Sequence, residues 1–311
     1  MYNENELFDL EKDCMKVRET NPFTNVYYNE VNRTKMRVIG SHFAQKECET
    51  PYLSFPMLEK IPFIRHGFST RLGGVSKGMF QTLNLSYNRG DEKDSVTENY
   101  RRICESMGMK MEDIVFSDQV HKTEIHVATK EDCQGTNYGY RKLSEIDGLI
   151  TNEKNVVLCT SYADCVPLFF VDKENQAIGL SHSGWKGTVG RMGAKTIEKM
   201  KSEYGTKPED LYCVIGPSIC ASCYEVSKDV IQQIEEEFSS EIVKRCVFPK
   251  ENEKYQLDLW MLNKDILLEA GVPEGQIAVS NVCTCCNQKL LFSHRASGGK
   301  RGNLCGFLSI V

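Results

Sequence analysis

The chain has 311 residues, 41% of them hydrophobic, with a formal net charge of -5; it can bury a large core, and its lysines and arginines, spread among acids, leave no basic footprint for nucleic acid. No apolar run approaches the roughly 20 residues that span a bilayer, and the acidic N-terminus lacks the basic and apolar regions of an export signal, so a cytoplasmic protein is expected. Fourteen cysteines in so long a chain read as thiols rather than as a disulfide framework.

In chain order, residues 1–50 read as an N-terminal extension, polar and acidic, with one strand around Met36 to Ile39, and residues 51–311 as a single domain. Ile64 to Ser76 combines a short strand with a glycine turn in which Arg71 stands beside Gly73 and Gly74. Guanidinium and free backbone N–H groups both donate to phosphate oxygens, so this is either an anion cradle or an ordinary turn with a surface arginine. Val96 to Met107 has the pattern of a helix, and Ile114 to Val127 gives two alternating strand segments that carry His121 and His126. His121, at a strand end, is the better ligand of the two.

Ile146–Thr151 and Val156–Thr160 are short strands that lead into a hairpin. In it Val166 to Val171 is a buried strand, Asp172 to Asn175 a polar turn and Ala177 to Leu180 the returning strand, so Cys165 and His182 fall at one edge. The following Ser183-Gly-Trp-Lys-Gly187 allows a tight turn with exposed N–H groups. Val189, Met192, Ile197, Met200 and Tyr204 then recur at helical spacing, Leu211 opens a strand, and Ser227 is placed to cap a helix through Ile231, Ile234, Phe238 and Ile242. Leu259, Leu262, Ile266 and Ala270 repeat the pattern after Asp258, with Gly271 and Pro273 as stops. Phe292 to Gly302 is a second basic, glycine-rich loop, in which Arg295 and Lys300 bind an anion or decorate a turn, and Leu304 to Val311 is a final strand. Short connections with irregular alternation predict an α/β fold of the α+β type, a single domain of mixed, largely antiparallel sheets covered by helices.

Three readings compete for the chemistry. His121, Cys165 and His182 would hold zinc with its fourth position open, a catalytic arrangement. Cys220 and Cys223 with Cys283, Cys285 and Cys286 resemble a closed structural zinc site, although a Cys-x-Cys half is poorly spaced for one. Alternatively Cys165 is a nucleophile and His182 its base, with N–H groups of Ser183 to Gly187 as oxyanion hole, giving acyl transfer or deamidation. Cys14, Cys48, Cys104, Cys133, Cys159, Cys213, Cys246 and Cys305 read as small buried apolar residues.

Thr70-Arg-Leu-Gly-Gly-Val-Ser, Gln119-Val-His, Asp147-Gly-Leu, Ala163-Asp-Cys-Val-Pro, His182-Ser-Gly-Trp-Lys-Gly, Gly216-Pro-Ser-Ile, Cys223-Tyr-Glu-Val, Leu257-Asp-Leu and Arg295-Ala-Ser-Gly-Gly-Lys closely resemble, in order from about residue 53 to the end, the laccase-domain or YfiH-type family. The resemblance implies one α/β domain, similar also to the cytotoxic-necrotizing-factor fold, and zinc held by His121, Cys165 and His182. It implies phosphorolysis of purine nucleosides (adenosine, inosine, guanosine and methylthioadenosine), with adenosine deamination besides, and hence a purine nucleoside and phosphate as partners. Copper is disfavoured, because six histidines cannot supply the many imidazoles of a multicopper oxidase. Arg71, with Arg295, would hold phosphate, Gln119 belongs to the binding residues, and Asp164 and His66 stand for the general acid. Ser183 and Lys186 replace a frequent Ala and Arg, and Lys186 keeps the charge without the bidentate fork. The rival expectations are a Cys-His amidase that edits peptidoglycan precursors and a metal- or nucleoside-binding protein without turnover.

Overall fold

The computed structural model describes residues 50–135 and 143–311, preceded by residues 13, 15–18 and 23 and by three short strands. In chain order these strands are β1 (Lys35–Arg37), β2 (Gly40–Phe43) and β3 (Lys46–Glu49), followed by β4 (Tyr52–Ser54), helix α1 (Pro56–Glu59), β5 (Ile64–Ser69), helix α2 (Lys93–Ser106), β6 (Ile114–Phe116), β7 (Ile125–Val127), β8 (Gly148–Thr151) and β9 (Val157–Tyr162). The hairpin β10 (Val166–Asp172) and β11 (Ala177–Ser183) leads into α3 (Trp185–Val189), α4 (Met192–Tyr204) and β12 (Leu211–Ile215). The remainder is β13 (Glu225–Ser227), α5 (Lys228–Glu237), α6 (Ser240–Cys246), β14 (Val247–Pro249), β15 (Lys254–Leu257), α7 (Leu259–Glu269), β16 (Ile277–Val279), α8 (His294–Ser297) and β17 (Leu304–Ile310).

Strand β10 lacks polar alternation because both of its faces are covered. Phe169 and Val171 point one way, into a core shared with Phe68, Leu158, Tyr162 and Leu308, whereas Val166, Leu168 and Phe170 point the other, onto helices α4, α5 and α7. Two six-stranded sheets produce this arrangement, ordered β1-β4-β5-β17-β9-β6 and β16-β12-β10-β11-β8-β7. They stack through β11 against β9 and β17, and α2 covers the outer face of the first sheet through Val96, Tyr100 and Ile103. The layers therefore run helix, sheet, sheet, helices, in one continuous domain. Strand pairs are antiparallel except at edges, where β6 lies parallel to β9, β7 to β8 and β16 to β12. Among the described residues no helix is long and apolar enough to cross a membrane.

Two helices predicted as continuous are broken. The stretch from Val189 to Tyr204 divides at Arg191, which takes a left-handed φ of 55° and caps α4. The run after Ser227 stops at Phe238, whose extended backbone ends α5, and restarts behind Ser239, whose hydroxyl accepts from the Ile242 N–H at 3.4 Å. Asp258 caps α7 as its position suggested, accepting from the N–H groups of Trp260 and Met261 at 3.0 and 3.1 Å. Strand β1 pairs with β4; residues 38 and 39 of the expected strand lie outside the described residues. Cys104, Cys159, Cys213, Cys246 and Cys305 are buried, but Cys133 is only partly so, and its thiol donates to the Asp113 carbonyl at 3.2 Å. Cys14 and the Cys48 side chain lie outside the described residues.

Candidate metal centre

The β10–β11 register sets Val166 opposite Ser183 and Pro167 opposite His182, so Cys165, one residue before β10, meets the end of β11. His121 arrives from the loop before β7, in a left-handed conformation with φ 62°. That loop is pinned by one buried carboxylate. Asp147 accepts the N–H groups of Val120, His121 and Lys122 at 3.1, 3.1 and 3.0 Å. The same carboxylate binds His182 Nδ1 at 2.8 Å, which directs Nε2 of that ring away from Asp147 and leaves it available as a ligand. The donor atoms of His121, Cys165 and His182 lie within 4.8 Å of one another, with His121 Nε2 3.9 Å from Cys165 Sγ and the two rings edge to face at 4.9 Å. A Cβ on Gly184 would stand 3.1 Å from both Cys165 Sγ and His121 Cδ2, so the first glycine after His182 keeps the centre open.

The electrostatics suit metal ligation. Burial pushes the Cys165 thiol up, but His182 and His121 outweigh it and bring it down to about 6, so the sulfur is a thiolate at neutral pH. Burial disfavours charge on His182, whereas the Cys165 thiolate and Asp147 raise it to about 9. Asp147 itself is held below the usual carboxylate range, its burial overcome by the hydrogen bond to His182 and by the backbone donors. Two imidazoles and one thiolate fit a divalent metal of zinc type, with three protein ligands and a fourth position open.

His121 and Cys165 line a cavity of about 390 Å³, lined also by Trp185, Tyr224, His294, Arg295 and Arg301 and of a size ordinary for a small-molecule site, while His182 is buried beside them. Arg301 also lines a second cavity of about 570 Å³, together with Arg71 and Lys300. Arg71 is thus in the neighbouring cavity rather than beside the metal ligands, its guanidinium donating to the carbonyls of Gln81 and Gln288 at 2.9 and 2.8 Å and stacked over Phe292. Arg295 does reach the metal-side cavity, although its guanidinium donates to the carbonyls of Cys223 and Glu225 at 3.2 and 2.8 Å. Asp164 is the hydrogen-bonding post of the site wall: it accepts from Thr284 Oγ1 at 2.6 Å and from the Arg295 N–H at 2.7 Å. Gln119 exchanges two 2.8 Å bonds with the Ser161 backbone, an interaction that fixes its loop on β9. His66 lies in β5, its Nε2 accepting from the Phe55 N–H at 3.0 Å and its ring stacked on Phe55, and it does not line the cavity. His126 pairs with Asp132 at 3.0 Å, apart from the centre.

Sequence reasoning missed Asp147, Trp185, Tyr224, His294 and Arg301. Asp147 stood in a recognisable Asp-Gly-Leu motif without a role, because one carboxylate that organises a loop and a ring is a tertiary fact. Arg301 and His294 flank the residues chosen from the same basic loop. Burial, followed by the charge of Arg89, lowers Arg301 to about 10, and burial together with Arg301 lowers His294 below its ordinary value. Arg301 Nη2 lies 3.4 Å from His294 Nδ1; an arginine only donates, so the neutral ring carries its proton on Nε2.

The cysteine-rich reading needs one correction. The group that converges is Cys220, Cys223, Cys283 and Cys286, two Cys-x-x-Cys pairs, and Cys285 is outside it. The objection to a Cys-x-Cys half applied to the wrong partner.

Comparison with known proteins places these features in a set of relatives. A family model described as multi-copper polyphenol oxidoreductase laccase matches residues 65–311. The chain is 36% identical over 246 residues to the purine nucleoside phosphorylase YlmD of Bacillus subtilis, covering 78% of this chain and 87% of that one. It is 32% identical over 253 residues to a purine nucleoside phosphorylase of Bacteroides thetaiotaomicron, covering 81% and 93%. Among solved structures, a hypothetical protein YfiH of Bacillus licheniformis superposes with a TM-score of 0.79 at 33% identity over 84% of this chain and 96% of that one. YlmD of Geobacillus stearothermophilus superposes at 0.76 with 32% identity over 88% and 99%.

Proposed function

We propose that this chain, which belongs to the laccase-domain family of YfiH-like proteins, is a zinc-dependent purine nucleoside phosphorylase. The observation that carries the reading is the convergence of His121, Cys165 and His182, the first two of them lining a cavity that also offers two aromatic rings and two arginines. The donor set fits zinc, and when bound the metal would supply a Lewis acid and net positive charge at the open position. Six histidines in the whole chain are too few for a multicopper cluster, which argues against phenol oxidation.

Trp185 and Tyr224 line the cavity and offer flat apolar surfaces to a purine. Arg301 and Arg295 both line the cavity and provide positive charge for phosphate, the Arg301 guanidinium being held by the Gly302 carbonyl, Asn303 Oδ1 and His294. In the reaction a phosphate oxygen forms a bond to C1′ of the ribose while the C1′–N9 bond breaks and its electron pair passes into the purine. His294 lines the cavity and keeps its proton on Nε2, opposite the Arg301 contact, so it is suited to donate a hydrogen bond to the purine N7 as charge builds there; the ring retains that proton, and the base takes up, through solvent, the one that the attacking phosphate releases. Asp164, committed to Thr284 and Arg295, positions the wall instead. Adenosine deamination would use the same centre, with water in place of phosphate.

A specific observation keeps a second reading open: the depressed Cys165 thiol beside two imidazoles also suits a cysteine amidase. Chromatography of adenosine and inosine with zinc-replete protein, with and without phosphate, separates the readings. Free base that appears only with phosphate, and is lost in His121→Ala, supports the phosphorylase. Inosine formed from adenosine without phosphate supports deamination. Neither product, together with amide hydrolysis blocked by thiol alkylation, would replace the proposal with the amidase.

A further inference from the structure

Around Thr284 four thiols meet, none of which lines the cavity. Cys220 and Cys223 occupy the loop after β12, and Cys283 and Cys286 the loop after β16. The two loops are distant in sequence but adjacent in space, because β12 and β16 pair in parallel and the bridge between Ser218 and Cys283 extends that pairing. All four sulfurs lie within 4.8 Å of one another, Cys223 and Cys286 at 3.5 Å, and none is in a disulfide. Four sulfurs at about 2.3 Å from a tetrahedral zinc stand about 3.8 Å apart; the cluster has nearly that size before any metal draws it in.

The surroundings are those of thiolates rather than of packed thiols. The backbone N–H groups of Cys220 and Cys286 both donate to Cys283 Sγ, at 3.3 and 3.4 Å, and Arg18 Nη2 donates to Cys286 Sγ at 3.4 Å. A dication with four thiolates has a net charge of about -2, which these donors and the arginine offset. Cys220 and Cys283 are fully buried and Cys223 and Cys286 partly so; four protein ligands fill a tetrahedral site and leave no position for solvent. We propose that Cys220, Cys223, Cys283 and Cys286 bind a structural zinc ion as a closed tetrathiolate site. The ion joins the two loops. Because Thr284 sits inside the second pair and donates to Asp164 at 2.6 Å, while Tyr224 follows directly on the first pair, the tetrathiolate ion stabilises one wall of the catalytic cavity. The assignment is independent of the activity proposed for that cavity.

The test is zinc content by mass spectrometry of the full chain, combined with thiol alkylation mapped by peptide. The wild-type chain is expected to hold about two zinc ions. The double variant His121→Ala/Cys165→Ala should keep about one, with Cys220, Cys223, Cys283 and Cys286 protected from alkylation until a strong chelator is added. Cobalt in that variant should show the intense d–d absorption of tetrahedral tetrathiolate coordination. Cys223→Ser/Cys286→Ser should lose about half of the wild-type zinc; should it fail to fold, the His121→Ala/Cys165→Ala variant decides alone, since it leaves the four cysteines intact. A zinc-free double variant whose four cysteines are rapidly alkylated or disulfide-bonded would overturn the proposal, and iron at the four sulfurs would overturn its assignment to zinc.

Discussion

Asp147 illustrates how one side chain can order a site it does not enter. Its two oxygens take three backbone N–H groups and His182 Nδ1, so the loop that delivers His121 and the ring that delivers His182 share a single anchor. Asp147→Asn replaces an acceptor oxygen by a donor NH₂ and should weaken metal affinity about 10–100-fold, measurable by competition with a chromophoric chelator; an unchanged affinity would remove the anchor role. Cys165 gives a pH signature. With its folded pKa near 6 against an ordinary value of 9, the thiolate is lost as pH falls through about 6, so alkylation of Cys165 in metal-stripped protein should rise to a plateau with its midpoint there. A midpoint near 9 would mean that the imidazoles do not act on the sulfur. Gly184→Ala puts a methyl group 3.1 Å from Cys165 Sγ and His121 Cδ2; zinc content should fall while the far-ultraviolet circular dichroism spectrum stays unchanged.

At the scale of elements, the hairpin β10–β11 is buried along the whole length of both strands and positions two of the candidate ligands. Phe169 is fully buried between the sheets, edge to face with Phe55 at 5.1 Å. Phe169→Ala should therefore cost about 3–5 kcal/mol, read from urea unfolding, and an effect below about 1 kcal/mol would mean that the two sheets can collapse around the gap. The strand pattern, the polar turn and the placement of Cys165 and His182 at one edge were legible in the chain because period-two alternation and turn chemistry are local. The breaks at Arg191 and Phe238 were not. Arg191 is held in its left-handed turn by Glu237 and Glu269, which donate nothing to a local pattern but accept from its guanidinium, and apolar spacing continues smoothly across Phe238 while the backbone does not.

For the whole molecule, stacking two sheets places the functional loops at the ends of β10, β11, β12 and β16, where the proposed zinc centre and the proposed tetrathiolate site share one wall. Chelation that empties both should lower the melting temperature more than loss of the His121–Cys165–His182 ion alone, because the proposed four-cysteine ion would add a tie between two loops far apart in the chain to the bridge of Ser218 with Cys283. Differential scanning calorimetry of wild type and of His121→Ala/Cys165→Ala, each with and without chelator, measures the difference; a variant whose melting ignores the chelator would argue against the second ion.

Local regularities in the sequence determined most of the strands and helices, the hairpin and the residue types His121, Cys165 and His182, since side-chain periodicity and ligand chemistry are written residue by residue. The resemblance of its ordered motifs supplied the family. Tertiary structure alone decided which residues meet: Asp147 beneath both histidines, Arg301 rather than Arg71 on the metal-side cavity, and Cys286 rather than Cys285 beside Cys220, Cys223 and Cys283. Each depends on strand pairings between segments far apart in the chain, and no local pattern encodes the register that brings such segments together.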